Sequence, residues 1–187
     1  MEKVKKQKEE YAVVLDYLPN GYPDSTIPSH RKTAIAQAIG KEHFSILELV
    51  PKKEVFLSPG DEVYIGDGKR DKIHHINGKI DIMQLTGTAS NELKFLIQDI
   101  ITENEAKFIT FFNTAGPLSL RMHQLELLPG LGKKHMIEIV NAREEKPFES
   151  FADLKSRVKL MPKPEELILK RILKEIEGLE KHNLFVK

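Results

Sequence analysis

Two glycines flank a leucine in Leu128-Pro129-Gly130-Leu131-Gly132, and two lysines, Lys133 and Lys134, follow at once. A turn between helices needs one glycine at most, so the second asks for a chemical reason. Glycine can take φ > 0 and bring its N–H close to a ligand with no Cβ in the way. The lysines open an apolar-periodic stretch, "KKHMIEIVNARE", that reads as a helix. The first N–H groups of a helix have no intrahelical acceptor and carry the positive end of the dipole. A phosphate fits such a terminus. Cations there are mildly unfavourable for the helix itself, a local conflict that an anion site would produce. Leu131 is expected to turn inward and pin the turn to a core. Gly130, Leu131, Gly132, Lys133 and Lys134 are therefore the candidate phosphate contacts. Arg121 and His123, one to two turns earlier, are placed to flank the same phosphate.

No other constellation competes with this one. There is no G-x-x-x-x-G-K-[ST], no G-x-G-x-x-G and no G-x-S-x-G, so the chain is not expected to be an enzyme. Cysteine is absent, which excludes disulfides, thiolate metal sites and cysteine nucleophiles. Asp61, Asp67 and Asp71 lie close in sequence as nuclease carboxylates do, but loop aspartates beside glycines are usually turn formers. His74 and His75 are adjacent, so on a regular strand they point to opposite faces and cannot chelate one ion. No catalytic residue is assigned.

Positioning that turn requires a helical half, and the chain supplies one after a β half. Tyr11–Pro19, Thr33–Gly40, Phe44–Pro51, Asp61–Gly66 and Gly78–Thr86 read as five short strands separated by turn signals, a small barrel or sandwich. The period then changes. Ser90 is placed to cap a helix carrying Leu93, Leu96, Ile97, Ile100 and Ile101. Thr102 and Glu105 have capping-box spacing for a second helix burying Phe108, Ile109 and Phe112. From Leu118 to Gly178 four short helices are expected: Leu118–Leu128, one from Lys133, one from Ser150, and one from Pro164. The segments are residues 1–88, a connecting helix or helices at 89–116, and 117–187. The first residues and "EKHNLFVK" are expected to fray.

With 40% hydrophobic and 30% charged residues the composition is that of a globular protein. No apolar run is long enough to span a bilayer, the first ten residues carry no signal peptide, and the expected location is the cytoplasm. Net charge is +1, which argues against a histone-like wrapper but leaves room for a local basic patch.

The stretch "LPGLGKKHMIEIVNAREEKPFESFADL" closely resembles the helix-hairpin-helix motif of competence and DNA-repair proteins. Leu128, Gly130, Leu131, Gly132, Ile137, Ile139, Arg143, Phe148, Phe151 and Leu154 occupy its positions. The resemblance implies that hairpin amides grip a phosphate without reading the base, with Leu128, Leu131, Ile137 and Val140 packing beneath. It implies no cofactor beyond a monovalent cation on the carbonyls of the Pro129–Gly132 hairpin. His135-Met136 departs from the motif, which usually has a small residue there. A second half is findable around Met161-Pro162-Lys163-Pro164, where proline replaces glycine and has no N–H to give. It is expected to be structural, or to touch phosphate through Lys163 alone.

Over nearly the full length, "YAVVLDYLPNG", "SPGDEVYIG" and "RMHQLELLPGLGKK" resemble an uncharacterised archaeal family, domain of unknown function 655. The fold class this implies is α+β, a small OB-like β-barrel followed by an all-helical tandem helix-hairpin-helix domain. Such barrels take single strands with basic loops and aromatic platforms. The candidates are His30, Arg31 and Lys32, then Lys69, Arg70 and Lys72, with Tyr11, Tyr17 and Tyr64 as platforms. The expected function is largely sequence-independent binding of RNA or DNA backbone, with RNA slightly favoured and no membrane involved. The alternative is a protein–protein adaptor built from the same folds.

Overall fold

The structure, a computed structural model, describes residues 8–23, 26, 28 and 32–187. It is a mixed α+β protein whose chain divides into two compact units. The first holds the residues up to Leu96 together with Phe185–Lys187, and the second holds Ile97–Leu184. Among the described residues no helix is long and apolar enough to cross a membrane.

The first unit is a curled five-stranded antiparallel sheet, half a barrel. Its strands are β1 (Tyr11–Leu18), β2 (Ile35–Gly40), β3 (Ile46–Pro51), β4 (Glu62–Tyr64) and β5 (Ile73–Lys79), in the order β4-β1-β2-β3-β5. Every residue of the central β2 is buried, as expected for a strand covered on both faces. Ala12, Ala36 and Ala38 share a core with Val14, Leu47 and Leu49, the mixture of small and large side chains that fills a tapering interior.

Two features of β5 differ from expectation. Asn77-Gly78 looks like the turn before a strand over Gly78–Thr86, but the strand runs from Ile73 to Lys79 instead. After it comes one 3₁₀ turn, Ile82–Gln84, in which Asp81 accepts from Met83 N at 2.8 Å and Gln84 accepts from Asp81 N at 2.8 Å. The strand is also bulged twice. Glu48 pairs with Gly78 and Leu49 with Ile76, leaving Asn77 extra; Val50 pairs with His75 and Pro51 with Ile73, leaving His74 extra. A bulge re-aims the extra side chain. His74 and His75 therefore do not point to opposite faces: their Nδ1 atoms lie 2.7 Å apart.

Two helices come next, α1 (Gly87–Glu103) and α2 (Glu105–Thr114). Thr86, not Ser90, caps α1: its Oγ1 accepts from Ala89 N at 3.1 Å and donates to Asp16 at 2.6 Å. The expected capping box at Thr102 does not form. Thr102 lies inside α1 and donates back to the Gln98 carbonyl at 3.0 Å, while Glu105 accepts from Phe151 N. The break falls at Asn104, whose amide donates to the Ile100 carbonyl at 2.9 Å and so satisfies an end-of-helix acceptor.

The segment read as a helix over Leu118–Leu128 is a small hairpin, β6 (Pro117–Ser119) and β7 (Met122–His123), followed by a 3₁₀ turn over Gln124–Leu127. Leu118, Leu120 and Met122 recur every second residue, which is a strand's period. Helices α3 (Lys133–Glu145), α4 (Phe151–Arg157) and α5 (Pro164–Ile176) complete the second unit. Its core contains Phe108, Phe112, Leu125, Ile139, Leu154 and Ile168.

The ends expected to fray are tied down where they are described. The Glu9 carboxylate accepts from the backbone N–H groups of Glu42 at 2.8 Å, His43 at 3.0 Å and Ser45 at 3.1 Å. In the second unit, Arg171 donates to the His182 carbonyl and Leu184 N donates to Glu175 at 2.7 Å. Phe185 is buried, and the Lys187 carbonyl accepts from Lys79 Nζ at 2.6 Å.

Candidate functional site

The glycine turn is built from both sides. His123 caps the 3₁₀ turn: its Nδ1 accepts from Leu125 N at 3.1 Å, and Glu126 accepts from His123 N at 2.9 Å. Burial first, and then the charge of Arg143, hold the His123 imidazole below its ordinary range, which keeps Nδ1 free to accept. Leu128 N donates to Leu125 O at 3.1 Å and Leu131 N to Leu128 O at 3.0 Å, so the backbone folds back on itself twice within seven residues.

Gly130 sits at φ +100°, a left-handed conformation that any side chain would strain, and Leu131 is 4% exposed. Gly132 occupies the N-cap of α3 without a side-chain cap. The first helical bond is Met136 N to Gly132 O at 3.0 Å. The N–H groups of Lys133, Lys134 and His135 thus precede the helix's own acceptors. Lys133 and Lys134 are exposed, and among the described residues neither is in an ion pair.

Behind the turn lies a side chain that sequence reading missed. Arg171 of α5 is 2% exposed and donates to the Leu127 carbonyl at 3.1 Å, to Glu175 at 2.7 Å and to Glu180 at 3.0 Å. It locks the residue just before Leu128 to α5. A lysine–arginine pair in an amphipathic helix, Lys170-Arg171, gives no sign of which one turns inward.

The other candidates divide. Arg121 is exposed at the tip of the β6–β7 hairpin rather than on a helix face, and His123 is taken up as a cap. Ile137, expected to pack, is 52% exposed; Ile139 is fully buried in its place and Val140 is half-buried. At the second hairpin Lys163 is the N-cap of α5 and pairs with Glu166 at 3.1 Å, and Pro164 opens the helix. The His135 ring donates to the Leu160 carbonyl at 3.2 Å, which ties the first turn of α3 to that second hairpin.

In the first unit, His30 and Arg31 lie outside the described residues. Lys32 donates to the carbonyls of Tyr22 at 2.9 Å and Pro23 at 3.3 Å, closing its own loop. Arg70 donates to Gly66 O at 2.9 Å, whereas Lys69 and Lys72 are exposed. Tyr11 and Tyr64 meet edge to face at 5.3 Å. The Tyr64 hydroxyl accepts from Gly68 N at 3.0 Å, and a Cβ on Gly66 would lie 2.5 Å from it. Those loop glycines therefore make room for a ring. Phe56, also missed, is 80% exposed beside Tyr17 with centroids 6.5 Å apart.

Asp61, Asp67 and Asp71 do not converge. Asp61 accepts from Ser58 N, and Asp67 pairs with Lys8 at 2.8 Å, a bond that holds its carboxyl below the usual range. Among the described residues no group of three or more histidines and carboxylates is arranged to hold a metal ion.

Fold and turn together define a two-unit α+β protein, with a curled sheet in one unit and a glycine-turned helical bundle in the other. The chain belongs to the family described as protein of unknown function DUF655, which matches residues 8–187. It is similar to the uncharacterized protein MJ0038 of Methanocaldococcus jannaschii, with 44% identity over 99% of this chain and 83% of that one. It is also similar to the crystal structure of Af1531 from Archaeoglobus fulgidus, with 43% identity, a TM-score of 0.86, and coverage of 96% of this chain and all of that one.

Proposed function

We propose that this protein binds nucleic acid through the phosphate backbone, largely without regard to sequence, and that RNA is its preferred ligand. The phosphate grip is the turn Gly130-Leu131-Gly132 with Lys133 and Lys134, within a tandem helix-hairpin-helix unit. The curled sheet is an OB-like barrel offering a second, single-strand surface, with Lys69, Lys72 and the ring of Phe56 as its contacts. One observation carries the reading. Gly130 is held at φ +100° over a buried Leu131, so that unpaired N–H groups and two exposed lysines share one helical turn.

The test is fluorescence anisotropy with single-stranded RNA, single-stranded DNA and duplex DNA at two salt concentrations. Each phosphate contact on a single strand should contribute a slope of about −0.7 in log affinity against log salt. Lys133→Glu with Lys134→Glu should weaken all sequences about equally. Unchanged affinity in that variant removes the turn from the site. A second reading, the protein–protein adaptor, is favoured by the β6–β7 hairpin, which exposes Leu118, Leu120 and Met122. Failure to bind any of the three nucleic acids at low salt would put it first.

A further inference from the structure

The two bulges of β5 do more than bend an edge strand. They bring His74, His75 and Asn77 onto one line with Glu48 of β3, and the partners of each atom assign its protons. Asn77 Nδ2 donates to Glu48 at 2.6 Å, so its Oδ1 must face His75 and accept from His75 Nε2–H at 2.9 Å. With its proton on Nε2, neutral His75 presents a bare lone pair at Nδ1. That lone pair faces His74 Nδ1 at 2.7 Å, and His74 supplies the proton between them.

The line continues inward. The second oxygen of Glu48 accepts from the Tyr22 hydroxyl at 2.6 Å, and Tyr22 accepts from the fully buried Gln37 at 2.9 Å. Gln37 is fixed in turn by the Gln84 carbonyl and Thr86 N, each at 2.9 Å. The orientation of His75 is thus set by a chain of bonds anchored in the core. A histidine that ligates a metal is commonly held this way, with its far N–H given to an oxygen that is itself held.

We propose that His74 and His75 form a site for a borderline divalent cation of the Zn²⁺, Co²⁺ or Ni²⁺ class, bound between the two Nδ1 atoms. Paired neutral imidazoles suit these ions. Two metal–nitrogen bonds of the usual length at a tetrahedral angle span about 3.3 Å, so the rings need to part by roughly 0.6 Å. The exposed His74 ring makes that movement, while His75 stays on Asn77. The His74 proton moves from Nδ1 to its outward Nε2, and the neutral pair takes up the ion with no net proton lost. Two protein ligands leave the remaining positions to water or to an oxygen of an incoming ligand.

The experiment titrates Zn²⁺ alone into the full ¹⁵N-labelled chain. Imidazole nitrogen shifts are followed, and affinity is read by competition with a chromophoric chelator. Zn²⁺ should move the Nδ1 resonances of His74 and His75 before those of any other histidine. His74→Ala and His75→Ala should each weaken binding tenfold or more. Asn77→Ala, which touches no ion, should weaken it by about 10- to 100-fold. His182→Ala should change nothing. Equal affinity in wild type and His75→Ala, or a first shift at another histidine, overturns the proposal. The nitrogen shifts are read in the unaltered chain, so a variant that fails to fold does not decide the outcome.

Discussion

Glu9 offers a sharp test of how the first unit is held at its N-terminal edge. Its side chain accepts from three backbone N–H groups of the turn after β2, and Gly40 lies against it so closely that an added Cβ would sit 2.0 Å from the carboxyl carbon. Glu9→Ala strands the buried N–H of Ser45, at about 1–3 kcal/mol, and sends the part-buried N–H groups of Glu42 and His43 to water at less each. The total comes to about 2–4 kcal/mol. Gly40→Ala should cost a similar amount by a different route, since its methyl must expel the same carboxylate. The two losses share one cause and should not add: in the Glu9→Ala background, Gly40→Ala should be nearly free, a coupling of about 2–4 kcal/mol. Urea unfolding followed by tyrosine fluorescence reads this unit alone, because the chain's four tyrosines, at positions 11, 17, 22 and 64, all lie within it. Additive losses, or a Glu9→Ala loss below about 1 kcal/mol, would refute the account of the turn as a carboxylate-filled nest.

Two further outcomes concern the second unit. Arg171→Met should destabilise it by about 3–5 kcal/mol by taking the Arg171 guanidinium away from the buried Glu175 carboxylate, and Arg171→Met with Glu175→Met should recover most of that, both read by far-UV circular dichroism in denaturant. His123 is held below its ordinary range, so the folded state binds its proton less readily than the unfolded chain. Its contribution is complete above about pH 6.5 and is lost as pH falls through the folded value. His123→Asn, which caps without titrating, should flatten the fall in stability between neutral and mildly acidic pH. A variant as acid-sensitive as the parent would show that the cap bond does not respond to protonation.

Local chemistry is legible in the residues alone, and pairing is not. Four strands fall within a few residues of where the sequence puts them, because Tyr11–Leu18 or Ile46–Pro51 alternates or packs on both faces wherever it sits. The glycine turn is equally legible, since Gly130 and Gly132 have few uses side by side. The β5 bulges are not, because an extra residue is defined only against a partner strand, and Asn77-Gly78 looks the same in a turn. Leu118–Leu128 reads as helix only when a helical neighbourhood is extended over a period-two triplet. Ile137 misleads for a related reason: which face of α3 is buried depends on where the helix begins, and Ile139 is the isoleucine that faces inward. Phe56 and Arg171 leave no mark, since neither exposure of an aromatic nor burial of an arginine is written in its neighbours.

The first unit is discontinuous in the chain, whereas the second is one uninterrupted stretch, Ile97–Leu184. Phe185 is buried, and the Lys187 carbonyl accepts from Lys79 Nζ and Ser45 Oγ, so residues that follow the second unit in sequence complete the first. Those contacts close a loop that contains the whole second unit, and loop-closure entropy makes them the most costly of the sheet unit's contacts to form from an open chain.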